Sequence, residues 1–112
     1  DQVFHDMCLQ KNGILLALDR AGIVGSDGPT HNGVFDIAYL RHLPEITLMA
    51  PKDGAELRAM LNMAVPLNTP AAIRYPRANI PEDSLDKDCG PIEKGKGEMN
   101  SFFVDFSKKQ AT

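Results

Sequence analysis

Apolar residues along this chain fall either into short, largely apolar runs or into longer stretches with helical spacing. The short runs lie at residues 14–18, 46–49 and 71–75, and they predict three β-strands. A continuous apolar run is typical of a strand covered on both faces in a parallel sheet, which is what we expect of residues 14–18.

Helical spacing separates these runs. Apolar residues in the first ten positions predict a helix that ends near Asn12, and residues 35–40 predict a short helical stretch. The clearest helix begins near Asp53, where Glu56 follows three residues later as in a capping box. One face of this helix is lined by Leu57, Met60, Leu61 and Ala64.

The elements therefore follow the order helix, strand, loop, helix, strand, helix, strand. This order is typical of βαβ units with right-handed crossovers. The sequence predicts an α/β fold, a parallel sheet with flanking helices.

The alternation of strand-type runs and helical spacing ends after Arg77. Residues 81–97 are rich in proline, glycine and charge, which predicts a surface connection, and residues 99–112 show no usable period. We expect a folded unit at 1–79 and a linker with a divergent tail at 80–112. Because residue 1 is Asp within a helix-like pattern, we also expect the native start upstream and read the chain as part of a longer protein.

Composition and charge narrow the function classes. The 112 residues are 43% hydrophobic and 24% charged, as in one ordinary soluble domain. A formal net charge of −3 gives no electrostatic footprint for nucleic acid. Apolar runs far shorter than roughly 20 residues predict no membrane span, so we expect a cytoplasmic protein, or a plastid one in a plant or alga. The widely spaced Cys8 and Cys89 predict plain thiols rather than a disulfide framework.

The most polar segment follows the first predicted strand. Residues 18–33 read LDRAGIVGSDGPTHNG, with four glycines among charged side chains. Ligands of open parallel sheets bind at the carboxyl ends of the strands, and long loops there are commonly functional. A long connection that needs several turns is the alternative.

Two arginines, Arg20 and Arg77, follow two different predicted strands. A planar guanidinium can bind a phosphate or a carboxylate in bidentate fashion, so the pair indicates an anionic ligand. The alternative is surface ion pairs with Asp19 or Asp36, and that alternative is favoured for Arg74.

Asp27 and His31 lie within the same loop. His31 could act as a general acid or base or donate to an oxyanion, and it could instead cap a helix before Val34. Asp27 could orient substrate hydroxyls, and it could instead be a turn residue before Gly28.

Other catalytic motifs are incomplete or absent in this sequence. His5 and Cys8 lie one helical turn apart, but two ligands do not close a zinc site. The glycines form neither a P-loop nor a GxGxxG turn, and no serine lies in a nucleophile elbow. A reactive atom would have to come from a cofactor.

Several stretches together resemble a known family. The segments HDMCLQK, LDRAGIVGSDGPTHNGVFDIAYLRHLPE, MAPKDGAELRAML and AIRYPRAN are similar to consecutive parts of 1-deoxy-D-xylulose-5-phosphate synthases, thiamine diphosphate enzymes of the transketolase superfamily. DGPTH is common to transketolases, whereas DRAG before it and RYPR after it are more specific to the synthases. The resemblance covers about residues 1–79, and PIEKGKGE resembles the link that follows.

The resemblance implies a partial pyrimidine-binding domain and a reaction. Pyruvate and D-glyceraldehyde 3-phosphate would be condensed to 1-deoxy-D-xylulose 5-phosphate with loss of CO2, a step toward isoprenoids, thiamine and pyridoxal. By the same resemblance, Arg20 and Arg77 hold the acceptor's phosphate, and Asp27 and His31 contact the substrate and the cofactor-bound intermediate. The implied cofactors are thiamine diphosphate with Mg²⁺, and the implied assembly is a homodimer.

Departures from the family pattern limit what this chain could do alone. The glutamate that activates the aminopyrimidine and the aromatic residue that stacks on it would lie upstream of Asp1, and the diphosphate and Mg²⁺ would be bound by a separate domain. Ala78 replaces the glycine expected after RYPR, and SFFVDFSKKQAT does not resemble the family. We therefore expect the chain alone to be inactive. A non-catalytic remnant that binds a partner or a sugar phosphate, and a subunit of a split enzyme, stay open as alternatives.

Overall fold

A computed structural model describes residues 1–97 of the chain, and its centre is a parallel sheet of three strands in the order β1–β3–β2. The strands are Leu15–Leu18 (β1), Thr47–Met49 (β2) and Ala71–Arg74 (β3). The first residue of β3 pairs with Leu15 on one side and with Thr47 on the other. The three predicted strands and the predicted α/β class are therefore confirmed.

Helical segments connect the strands. A π-helical segment spans Val3–Cys8, and the two α-helices are Asp36–Leu40 (α1) and Gly54–Ala64 (α2). Short 3-10 turns follow at Val65–Leu67 and Glu82–Ser84. The predicted first helix exists, but its last turns are wide: the Asn12 amide donates to the Met7 carbonyl at 2.9 Å, a π-type bond.

The start of α2 is fixed by side chains. Asp53 Oδ1 accepts from the Glu56 amide at 2.9 Å, and Glu56 Oε2 accepts from the Lys52 amide at 2.6 Å. The first bond satisfies an amide that the first helical turn leaves unpaired, which confirms the predicted cap, and the second ties Glu56 to the residue before the cap.

The core lies between α2 and the sheet. Its buried members are Met49, Ala64, Ala71 and Ile73, and the partly buried side chains packed against them include Leu57, Met60, Leu61 and Met63 from α2. The predicted apolar face of α2 thus packs against β2 and β3.

The expectation that β1 is covered on both faces is wrong. Its residues are half-buried except for Ala17, which is exposed. The reason is position: β1 is an edge strand paired only with β3 in the described sheet, whereas central β3 is buried from Ala71 to Ile73.

Residues 81–97 run over the surface and are mostly exposed, with Ser84 buried. Residues 98–112, which include the predicted divergent tail, lie outside the described residues. Within residues 1–97, no helix has the length and apolar character needed to cross a membrane.

Candidate functional site

The carboxyl ends of the three strands border one cavity of about 750 Å³. The residue after β1, Asp19, lines it, as do residues 51–54 after β2 and residues 75–81 after β3. This is the edge at which the sequence predicted a site.

The loop after β1 is closed at its base. Gly33 N donates to the carbonyls of Arg20 and Gly22, both at 2.9 Å, and Gly22 N donates back to Gly33 O at 2.9 Å. A Cβ on Gly33 would lie 2.4 Å from the Arg20 carbonyl oxygen, so only glycine fits there. We call these contacting residues, 20–22 and 33, the loop neck.

The loop neck joins the sheet through the backbone. Ala21 N donates to Tyr75 O at 2.9 Å, immediately after the last β1–β3 bond. Arg20 has a φ of 57°, in the left-handed region that costs a non-glycine residue free energy. This turn directs the chain away from the sheet and into the loop.

Asp27 joins the two predicted arginines. Its Oδ2 accepts from Arg20 Nε at 2.8 Å, and its Oδ1 accepts from Arg77 Nη1. Arg20 also pairs with Asp19. We call Arg20, Asp27 and Arg77 the Arg–Asp cluster; it spans the exits of the neighbouring strands β1 and β3.

The cluster shifts the protonation equilibria of its members. Hydrogen bonds from Arg77 and then from Arg20 hold the pKa of Asp27 below its usual range. The hydrogen bond to Asp27, with the nearby charge of Asp19, raises the pKa of Arg20. The Asp27 side chain is 16% exposed and that of Arg77 is 57% exposed, so Arg77 is the member most open to a ligand.

His31 lies in the same loop but makes a different contact. It is exposed, and its Nδ1 lies 2.9 Å from the Thr30 hydroxyl. The alternative that His31 caps a helix is wrong, because α1 is preceded by Phe35 and has no side-chain cap bond. Among the described contacts, none joins His31 to the Arg–Asp cluster.

The ion pair favoured for Arg74 is present, with Asp36 as its partner. Arg74 Nε donates to Asp36 Oδ2 at 2.6 Å, with Asp36 buried and Arg74 half-buried rather than on the surface. Arg74 Nη2 also donates to Gly33 O at 3.0 Å, a contact that the sequence did not predict. The sequence shows both Gly33 and Arg74, but nothing in their spacing predicts that they contact each other.

The described residues supply only part of what thiamine diphosphate with a metal ion would need. Both carboxylates that line the 750 Å³ cavity are engaged, Asp19 with Arg20 and Asp53 with the Glu56 amide. Each makes this contact through one oxygen, so its other oxygen could still accept from a ring N–H. Residues 1–97 also contain no group of three or more His, Cys, Asp or Glu side chains that could hold a metal ion.

Comparison with known proteins gives one consistent result. The profile of the family described as transketolase, pyrimidine binding domain, matches residues 1–83. Over 99 residues the chain is 58% identical to "1-deoxy-D-xylulose-5-phosphate synthase 1" of Geobacter metallireducens, covering 88% of this chain and 16% of that protein. It is 52% identical over 99 residues to the synthase of Heliobacterium modesticaldum, covering 88% of this chain and 15% of that protein.

A solved structure also resembles this chain. It is described as a split gene transketolase in an inactive β4 tetramer, and it superimposes with a TM-score of 0.65 at 29% sequence identity. The match covers 82% of this chain and 28% of the other. Against the curated relatives the chain spans about one sixth of their length.

Proposed function

Because the chain belongs to the family of transketolase pyrimidine-binding domains, we propose that it is the acceptor-binding part of a thiamine-diphosphate-dependent synthase. The complete protein would condense pyruvate with D-glyceraldehyde 3-phosphate to 1-deoxy-D-xylulose 5-phosphate and CO2, an entry step to isoprenoid precursors. The names of relatives at 58% and 52% identity support this reaction.

The Arg–Asp cluster is the observation that carries the proposal. It brings two guanidinium groups from separate strand exits to one carboxylate. Asp19 and Asp27 together balance their two charges, and Arg77 is the member whose side chain is more than half exposed. A phosphate can therefore bind the remaining N–H groups of Arg77 beside Arg20, in the bidentate geometry that guanidinium favours.

His31 is the proposed acid–base residue of this domain. Its Nδ1 is engaged by the Thr30 hydroxyl, which leaves Nε2 to exchange a proton with an oxygen of the acceptor. Asp27 in the proposed complex contacts the acceptor while keeping the arginines together.

Decarboxylation and carbon–carbon bond formation require thiamine diphosphate with Mg²⁺, whose binding residues we place outside the described chain. The contribution of this chain is to bind and orient the acceptor, which lowers the entropic cost of the encounter. We propose a homodimer as the assembly of the complete protein.

The test is Arg77→Ala in the complete polypeptide that carries this chain. Loss of a charge-assisted phosphate contact costs about 1.5–3 kcal/mol, so the KM for D-glyceraldehyde 3-phosphate rises about 10- to 150-fold while the KM for pyruvate changes little. The matched control is Arg58→Ala, an exposed arginine on α2 without a described ion pair. An unchanged KM for the aldehyde would refute the phosphate role of Arg77.

A second candidate is a subunit of a split enzyme that needs another polypeptide for turnover. It is supported by the match to a protein described as a split gene transketolase. The intact mass of the native polypeptide, with its thiamine diphosphate content, separates the two. A product several times larger than this chain with bound cofactor supports the synthase, and a product of about this size without cofactor supports the subunit.

A further inference from the structure

The position of Arg20 depends on the loop neck. The Arg20 carbonyl accepts from Gly33 N, and that contact is so close that a side chain on Gly33 would collide with it. Any movement of Gly33 therefore moves the Arg20 backbone, and with it the guanidinium that reaches Asp27.

Arg74 holds Gly33 from the sheet. Its Nη2 donates to the Gly33 carbonyl at 3.0 Å, while its Nε donates to Asp36 Oδ2 at 2.6 Å. Arg74 ends the central strand β3, where it is paired with Leu18 of β1. One planar guanidinium thus connects the most buried strand to both ends of the segment between Gly33 and α1.

The Arg74–Asp36 pair is poorly arranged for stability alone. The Asp36 side chain is 8% exposed, and its Oδ1 is buried without a hydrogen-bond partner among the described residues. Burying a charged group costs free energy that is recovered only when all its polar atoms are satisfied. A buried pair that leaves one oxygen unsatisfied is weak evidence for a stabilising role, which leaves room for a positioning role.

We infer that Arg74 is a positioning residue for the Arg–Asp cluster. Through Gly33 it fixes the loop neck, the loop neck places Arg20, and Arg20 with Arg77 holds Asp27. This inference rests on the proposed function, because the acceptor's phosphate is the ligand that the positioned cluster would bind.

The experiment compares two acceptors in the complete polypeptide, D-glyceraldehyde 3-phosphate and phosphate-free D-glyceraldehyde. The readout is the ratio of their kcat/KM values, which a general loss of folded enzyme does not change. Arg74→Ala lowers this ratio about tenfold, comparable to the loss of one charge-assisted hydrogen bond. Arg74→Lys lowers it less, because an ammonium keeps the charge but cannot donate to Gly33 O and Asp36 with a planar fork. Arg58→Ala leaves the ratio unchanged.

A double-variant cycle identifies the route of the effect. If Arg74 acts through the cluster, Arg74→Ala changes the ratio by less than about threefold when Arg77→Ala is already present, since coupled residues are not additive. Full additivity of the two substitutions, or an unchanged ratio in Arg74→Ala, overturns the inference.

The outcomes also separate this inference from the function on which it rests. A wild-type ratio close to one removes the phosphate site and both proposals with it. A high wild-type ratio that Arg77→Ala lowers and Arg74→Ala does not lower leaves the proposed function standing and overturns only the role of Arg74.

Hydrogen exchange gives a readout that does not depend on turnover. In Arg74→Lys, amides of peptides covering residues 20–33 exchange faster, whereas peptides covering residues 71–73 keep their protection. Equal exchange in residues 20–33 overturns the inference. Should Arg74→Ala fail to fold, Arg74→Lys takes its place in the acceptor comparison and in the double-variant cycle, with the same outcomes for and against.

Discussion

The face of the sheet covered by α2 and the rim at the strand ends are built from different contacts. On the α2 face, Met49 and Ile73 pack against apolar side chains of the helix, and the helix is capped by Asp53 within its own sequence neighbourhood. These contacts exclude water and depend little on exact direction.

The rim has less such packing, although Val24 in its loop is buried. Ile23 in the loop is 85% exposed and Phe35 before α1 is 73% exposed. Its order comes from ion pairs and backbone hydrogen bonds that join residues distant in sequence, such as Asp27 with Arg77. Exposed ion pairs add little stability but set directions, so we expect the α2 face to determine stability and the rim to determine specificity.

The largest effect on stability is expected from Ile73→Ala. Ile73 is fully buried at the centre of the sheet, and truncation of such a side chain costs about 2–5 kcal/mol. The same change at exposed Ile23 costs no more than about 0.5 kcal/mol. Urea unfolding of the complete polypeptide measures both, and similar midpoints for the two variants would contradict the division between face and rim.

Gly33→Ala tests the rim rather than the α2 face. A Cβ 2.4 Å from the Arg20 carbonyl forces the loop neck apart, with a stability cost of about 1–3 kcal/mol. We expect the kcat/KM ratio of phosphorylated over phosphate-free acceptor to fall more, expressed as a free energy, than the free energy of unfolding does.

The control for that variant is Gly25→Ala in the same loop. Its added Cβ meets nothing within 4 Å, so stability stays the same or rises slightly. If both alanine variants keep the wild-type ratio of kcat/KM for phosphorylated over phosphate-free acceptor, the loop neck does not set specificity.

The smallest effect is expected from the charge of Asp27. Its pKa in the folded protein lies below the value of about 3.9 for a free aspartate, because Arg77 and Arg20 donate to the carboxylate. The ion pairs therefore stabilise the fold fully above that value, and the contribution is lost as pH falls through the folded-state pKa.

The measurement is the difference in unfolding midpoint between wild type and Asp27→Asn across pH 7 to 3. It should be constant down to about pH 5 and shrink below about pH 4. High salt should reduce the difference at neutral pH, because the arginines are partly exposed. A difference that grows on acidification would show that Asp27 is not held ionised by the arginines.

The α2 face was predictable because its signals are local. An apolar run marks each strand, and Asp53 followed by Glu56 marks the start of α2. The edge position of β1 was not predictable, because the apolar run at residues 14–18 fits a central strand as well as an edge strand. Only the order β1–β3–β2 decides how much of β1 is covered.

The rim was predictable in outline only. The carboxyl ends of parallel strands lie at one edge of a sheet, and this rule correctly predicted that Arg20 lies near Arg77. That Asp27 lies between them depends on the path of the loop, and the spacing of glycines does not encode that path. The roles of these residues and of His31 in binding and catalysis stay predictions, as does the boundary between 1–79 and 80–112.

The central place of β3 has a consequence for how the chain folds. Within residues 1–97, neither β1 nor β2 has a sheet partner other than β3, since both pair with Ala71 and its neighbours rather than with each other. Closing such distant parallel pairs is slow compared with forming local helices. These three strands cannot all be paired before Arg74 has been synthesised, and Arg77 follows three residues later. The pairing of β3 with β1 is therefore also the step that brings Arg77 to the same edge of the sheet as Arg20.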